Sequence, residues 1–346
     1  MSGSKRRAAS SAVRNNATAR GLHLIIARCY RGLVSTSLPL PLRGPSGEPV
    51  DLARTLNSHG FAELAPTALD EPATTLFLTV RVSGARPRRI RIGPGAGDDA
   101  LVEVLGPAAG PRVRAAALAG AAHVLRLDHD LSRFYGSIAD DPDLSWAATG
   151  AGRMLRSPTV FEDVVKTIST TNCTWSATVR MVHAIVLHLG EPAAGAADGD
   201  PWGRAFPTPS AIAEAGETFF RDVARTGYRG AYLLQLARSV AEGDLDLEWF
   251  GRASPDELPD AELEACLLAL PGVGPYAAAH VMMPLGRYHR LILDSWSRPT
   301  YARLTGRGSV TDRAIERRFR RYGPYAGLAF WLFLTRDWVE ESVVSQ

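Results

Sequence analysis

The stretch most able to do chemistry is Pro271-Gly272-Val273-Gly274-Pro275. Gly272 and Gly274 can take positive φ or let a foreign backbone come very close. Pro275 suits the first turn of a helix, where its missing N–H leaves no bond unmade. The segment therefore predicts a helix, a glycine hairpin and a second helix. The start of that second helix presents free N–H donors and the positive end of a dipole, an arrangement that suits phosphate. Other reactive side chains are scarce. Lys5 and Lys166 are the only lysines, so a lysine nucleophile has almost no candidates. Cys29, Cys173 and Cys266 are spaced too widely for a disulfide framework or a zinc site. They are too few for an iron–sulfur cluster and read as reduced thiols. Asp128-His129-Asp130 has metal-ligand residue types, but aspartates flanking a histidine at a helix boundary read as caps.

Around these residues lie 346 residues with 46% hydrophobic and 22% charged content, enough for two or three globular domains. No run of 18 apolar residues occurs, so no membrane span is expected. The net charge of +3 is compatible with nucleic acid without pointing to it. Residues 1–20 are basic, rich in Ser and Ala and free of acids, which predicts a disordered tail. A mitochondrial-type presequence has a similar composition, which leaves an organellar location open beside a bacterial cytoplasmic one.

Residues 21–110 predict an antiparallel β domain. Short apolar or alternating runs at 23–28, 75–82, 88–92 and 101–105 are separated by Gly and Pro clusters. A short helix from Asp51 ends near Gly60. Arg89 and Arg91 alternate with Ile90 and Ile92, which predicts a one-sided sheet with its arginines in water. Residues 111–155 form a helical connection, beginning with a helix over 112–127.

Residues 156–310 read as a helical domain. Ser157-Pro158 predicts an N-cap and N1 for a helix with its apolar stripe at Val160, Phe161, Val164, Val165 and Ile168. Thr170 to Cys173 interrupts it, and a second helix runs from about Ser176 to Gly190. A linker of Ala, Gly and Asp reaches Asp200. Further helices follow Pro209 and the turn at Thr226–Gly230. The helix–hairpin–helix occupies 259–287. Residues 311–346 predict closing helices, with Thr311 as an N-cap and a last, aromatic helix from Tyr325 to Trp338.

Leu270-Pro271-Gly272-Val273-Gly274, with Asp294 placed 18 residues beyond Tyr276, resembles the helix–hairpin–helix (HhH-GPD) superfamily of DNA glycosylases. Gly227-Tyr228-Arg229 with Tyr232, Asn172, and Tyr322-Gly323-Pro324-Tyr325-Ala326-Gly327 are similar to segments of its 8-oxoguanine branch. Leu56 to Phe61 matches that branch only loosely. The resemblance spans roughly residues 45–340 and is firm after 155. It implies an α+β fold, with a TBP-like N-terminal antiparallel β-sheet domain and mainly α-helical glycosylase domains.

The resemblance also implies roles. Asp294 would be the catalytic carboxylate. Gly272, Val273 and Gly274 would grip DNA phosphates, Tyr228 would wedge the duplex, Arg229 would hold the orphaned partner base, and Asn172 would fill the gap. Tyr276, His280, Phe330, Leu334, Trp296 and Gly60 would line the base pocket. Carbonyls near Leu270 and Val273 would hold a structural Na+ or K+, and no cofactor is implied for the chemistry. The partner would be double-stranded DNA containing a damaged base, bound by a monomer.

Departures from the family pattern matter. Tyr276 stands where bifunctional members carry the lyase lysine, so strand nicking through a Schiff base is not expected. The resemblance then points to the 3-methyladenine glycosylase II type, and an aromatic set around Asp294 suits a flat, cationic alkylated purine. Two alternatives stand beside it: an oxidised-base glycosylase without lyase activity, with His280 as proton donor, and a catalytically silent damage-binding protein.

Overall fold

The computed structural model describes residues 36–70 and 73–339. The expected tail 1–20, the strand at 23–28, Cys29 and residues 340–346 lie outside the described residues. The architecture is α+β, as the sequence predicts. Five strands, β1 (Thr36–Pro41), β2 (Ala68–Leu69), β3 (Leu76–Val82), β4 (Ala85–Pro94) and β5 (Asp99–Val104), form one antiparallel sheet in the order β1-β5-β4-β3-β2. Helix α1 (Leu52–Leu56) lies between β1 and β2, and α2 (Pro111–Val124) follows β5. Leu78, Ile90, Ile92 and Val102 are fully buried on the face that α2 covers with Ala117, Ala121 and Val124.

The opposite face is not simply wet, which corrects the expectation for Arg89. The stretch predicted as a bare linker returns over this side of the sheet. Ala194 N–H donates to the Pro87 carbonyl at 2.9 Å, and the Trp202 carbonyl accepts from Thr79 Oγ1. Arg89 is 2% exposed, with its guanidinium 5.4 Å from the Phe77 ring. Arg91 on this face is solvated and pairs with Glu103, and Arg81 is exposed beside Glu191.

The remaining helices are α3 (Ser132–Ile138), α4 (Val160–Thr170), α5 (Trp175–Leu189), α6 (Pro209–Thr218), α7 (Arg229–Ala241), α8 (Leu247–Arg252), α9 (Asp260–Leu268), α10 (Pro275–Met282), α11 (Ser297–Leu304), α12 (Asp312–Phe319) and α13 (Ala326–Thr335). They build two cores. One gathers α4 to α10. The other combines α3 and residues 144–154 with α11 to α13. The predicted connection at 111–155 is therefore divided, with α2 on the sheet and the rest on the C-terminal helices. Tyr276 packs against both helical cores and marks their seam. The cap of α4 is Thr159, whose side chain accepts from Glu162 N–H, so Ser157 and Pro158 lie just outside the helix rather than at N-cap and N1. No helix among the described residues is long and apolar enough to cross a membrane.

Candidate active site

The glycine hairpin joins α9 to α10 as the sequence predicts. Gly272 has φ +77°, and a Cβ there would sit 2.6 Å from the Tyr232 ring, so a side chain is excluded twice over. Pro275 is at the first position of α10, and no side chain caps that helix start. Ala277, Ala278, Val281 and Met282 bury the inner face of α10 in the first helical core. The Leu270 carbonyl accepts from Val273 N–H at 3.1 Å, which leaves it a second lone pair. Such carbonyls suit a monovalent cation, and no cluster of three or more His, Cys, Asp or Glu among the described residues suits a harder metal.

Asp294 is half-buried at the start of α11. Its Oδ1 accepts from the N–H groups of Trp296 (2.9 Å) and Ser297 (2.6 Å), and Ser297 Oγ accepts from Asp294 N–H in return. This reciprocal cap fixes the carboxylate rigidly. No hydrogen bond reaches Oδ2 among the described residues, so half of the group remains for chemistry.

The charge of Asp294 is felt by two side chains of α10. Burial and then Asp294 push the Tyr276 phenol up. Burial lowers His280 to about 4 against the opposing pull of Asp294, so this imidazole is neutral at neutral pH. The Tyr276 and His280 rings lie 4.4 Å apart, and His280 Nε2 is buried with no hydrogen-bond partner. Trp331 closes the far side, 6.3 Å from His280 and 5.6 Å from Trp296, with its indole N–H donating to the Ser58 carbonyl at 2.7 Å. It also lines a narrow cleft with Asn57, Ser58, Trp146, Thr335 and Trp338.

Two expected pocket residues do not face this space. Phe330 is fully buried against Tyr301 and Phe319, and Leu334 is 4% exposed in the same core. One residue is about 100° on a helix. The face of α13 that meets the cleft carries Trp331 and Thr335, with Trp338 in the turn that follows, while 330 and 334 point into packing. Gly60 does meet an aromatic wall, but that wall is Trp175, 3.1 Å from where a Cβ would be. His59, next in sequence, is lowered to about 4 mainly by burial. Its Nε2 pairs with the Leu155 carbonyl and its Nδ1 accepts from Phe61 N–H.

Beside the hairpin, Tyr228 is 52% exposed and Tyr232 37%, with rings packed edge to face at 5.9 Å. Asn172, held at φ +48°, donates to the Tyr228 hydroxyl at 3.2 Å. Arg229 departs from its expected role. It is 7% exposed, its guanidinium donates to the carbonyls of Thr171 and Thr226, and it lies 4.6 Å from the Tyr228 ring. In this arrangement it braces the 170–173 loop and offers nothing to solvent. Lys166 is fully buried, 2.7 Å from Glu162 Oε1. Trp331, Trp175, His59 and Tyr232 are the neighbours that sequence reasoning passes over or assigns to packing. Tyr232 stands within the Gly-Tyr-Arg motif, and His59 directly before Gly60.

The fold is that of solved DNA glycosylase structures. The 3-methyladenine DNA glycosylase of Archaeoglobus fulgidus superposes with a TM-score of 0.63 at 20% identity, covering 87% of this chain and 98% of its own. MBOgg1 in complex with a low-affinity DNA ligand gives 0.62 at 18%, covering 88% and 96%. The apo 8-oxoguanine glycosylase/lyase of Clostridium acetobutylicum gives 0.61 at 18%, covering 87% and 98%. No family model and no curated protein matches the sequence.

Proposed function

We propose that this protein is a monofunctional DNA glycosylase of base excision repair. It everts a damaged base from double-stranded DNA and hydrolyses the N-glycosidic bond, and alkylated purines of the 3-methyladenine type are its substrates. The observation that carries this reading is Asp294, clamped through one oxygen and free at the other, at the seam beside Tyr276 and His280. A base inside a duplex cannot be reached, so the nucleotide must leave the stack at a cost of a few kcal/mol. The hairpin N–H groups would hold the phosphates, and Tyr228, with Tyr232 and Asn172 beside it, would be the wedge.

As the glycosidic bond breaks, positive charge builds on the sugar. Asp294 stabilises that charge and orients the attacking water. An alkylated purine leaves as a neutral base, so no general acid is required. That fits a His280 that is uncharged at neutral pH. A neutral imidazole, two aromatic walls and a nearby carboxylate favour a cationic base. The buried, ion-paired Lys166 offers no route to a Schiff base.

The test is mass spectrometry of bases released from alkylated and oxidised duplexes, with borohydride trapping in parallel. Release of 3-methyladenine without a trapped adduct is expected. Release of oxidised guanine alone would move the protein to the oxidised-base reading. Binding without release from any lesion would leave the silent damage-binding reading.

A further inference from the structure

The segment from Tyr301 to Arg321 carries seven arginines and two acidic residues, a net +5, against +3 for the entire chain. It runs from α11 through α12 and walls an open cleft lined by Tyr301, Arg307, Ala314, Arg317 and Arg318. These arginines are of two kinds. Arg318 is committed to the fold: it reaches Asp143 at 2.7 Å and the Tyr301 hydroxyl at 3.2 Å, and lies 4.4 Å from the Phe333 ring. Arg321 likewise holds Asp141. Arg307 and Arg317 are exposed on the cleft, and their side chains form no ion pair or hydrogen bond among the described residues. The α12 dipole favours arginines in that helix's last turn, which accounts for Arg317 and Arg318 but not for Arg307 or Arg313.

The hairpin side has the opposite balance. Residues 255–276 contain five acidic residues and no basic one, and Arg287 and Arg290 offset only part of this through Asp260 and Glu264. Backbone dipoles act only at short range, so long-range attraction for a polyanion has to come from elsewhere. α11 begins three residues after Asp294, at Ser297, and its eight residues span about 12 Å, equal to about four base-pair steps along a duplex.

We infer that the Arg307–Arg317 cleft is a second phosphate-binding surface, taking the sugar–phosphate backbone of the duplex that flanks the everted nucleotide. The inference rests on the glycosylase reading for the identity of that duplex. It is tested with the double variant Arg307→Gln/Arg317→Gln, which leaves the ion pairs of Arg318 and Arg321 in place. Binding to an undamaged duplex of about 25 base pairs, long enough to extend past the cleft on either side, is measured against salt. The expected result is a log K versus log salt slope shallower by about 1.8, because two phosphates are no longer neutralised. Thermal stability and the single-turnover rate of base release at saturating protein should be unchanged.

An unchanged slope overturns the proposal. The two readings fail separately. Arginine-dependent binding with no base release sinks the glycosylase assignment alone. Base release with an unaltered salt slope sinks this surface alone.

Discussion

The two helical bodies that meet at Tyr276 are built for different work. The hairpin body is lined with small residues where α10 packs, and its surface near the turn is acidic. Near the turn it offers a polyanion backbone N–H groups and close approach rather than charged side chains. The C-terminal body supplies Trp296, Trp331 and Trp338 on one side and unpaired arginines on another. Close-range geometry and charge are thus assigned to separate bodies in this molecule. Asp294 sits at the join, where the chain passes from one body to the other.

The largest effect is expected at the join itself. Asparagine caps a helix about as well as aspartate, whereas alanine loses about 1 kcal/mol. If Asp294 serves only the start of α11, Asp294→Asn should be silent and Asp294→Ala mildly destabilising. We expect instead that both abolish base release, by about 10³-fold or more in single-turnover rate, on the scale of losing one oriented electrostatic group. Thermal melting of the Asn variant should match the parent.

Next in size is the hairpin. Gly272→Ala places a Cβ at positive φ and into the Tyr232 ring. A loss of about 1–3 kcal/mol in stability is expected, together with weakened duplex binding. A variant that melts and binds like the parent would show that the turn needs no close approach, and the contrast between the two bodies would go with it.

The smallest effect concerns pH. His59, His123 and His280 are lowered to about 4 and His129 to about 3, each chiefly by burial. Between those values and the ordinary value near 6.5, the unfolded chain holds protons that the folded chain does not. Stability should therefore fall as pH drops below about 6.5, by up to about 1.4 kcal/mol per pH unit for each net proton. Asp163, raised to about 7 by burial, works the other way, because its folded form keeps a proton that the unfolded form releases. The net uptake on unfolding is thus smaller than four protons. Urea titrations between pH 5 and 7.5 measure it, and a flat profile would contradict the buried, neutral histidines.

The parts legible in the sequence are those with a strong local signal. The hairpin, the αα pairs and the Thr311 cap follow from glycine, proline and a 3.6-residue period. β1 is hidden because Pro39 and Pro41 argue against a strand. They are tolerated because β1 pairs only with β5, at the sheet edge. Arg89 is misread from sequence because its environment comes from residues 191–205, more than 100 positions away. Phe330 and Leu334 show the limit of carrying positions along a helix. α13 is apolar on all sides, so its composition does not reveal which side meets the cleft, and a shift of one residue exchanges pocket for packing.

The loop from Thr170 to Cys173 touches both tyrosines. Thr170 lies beside the Tyr276 phenol, Asn172 bonds to Tyr228, and Arg229 pins Thr171 between them. Four residues so tethered behave as a short lever. On the proposed function, a displacement of the outer ring would reach the inner one through this loop.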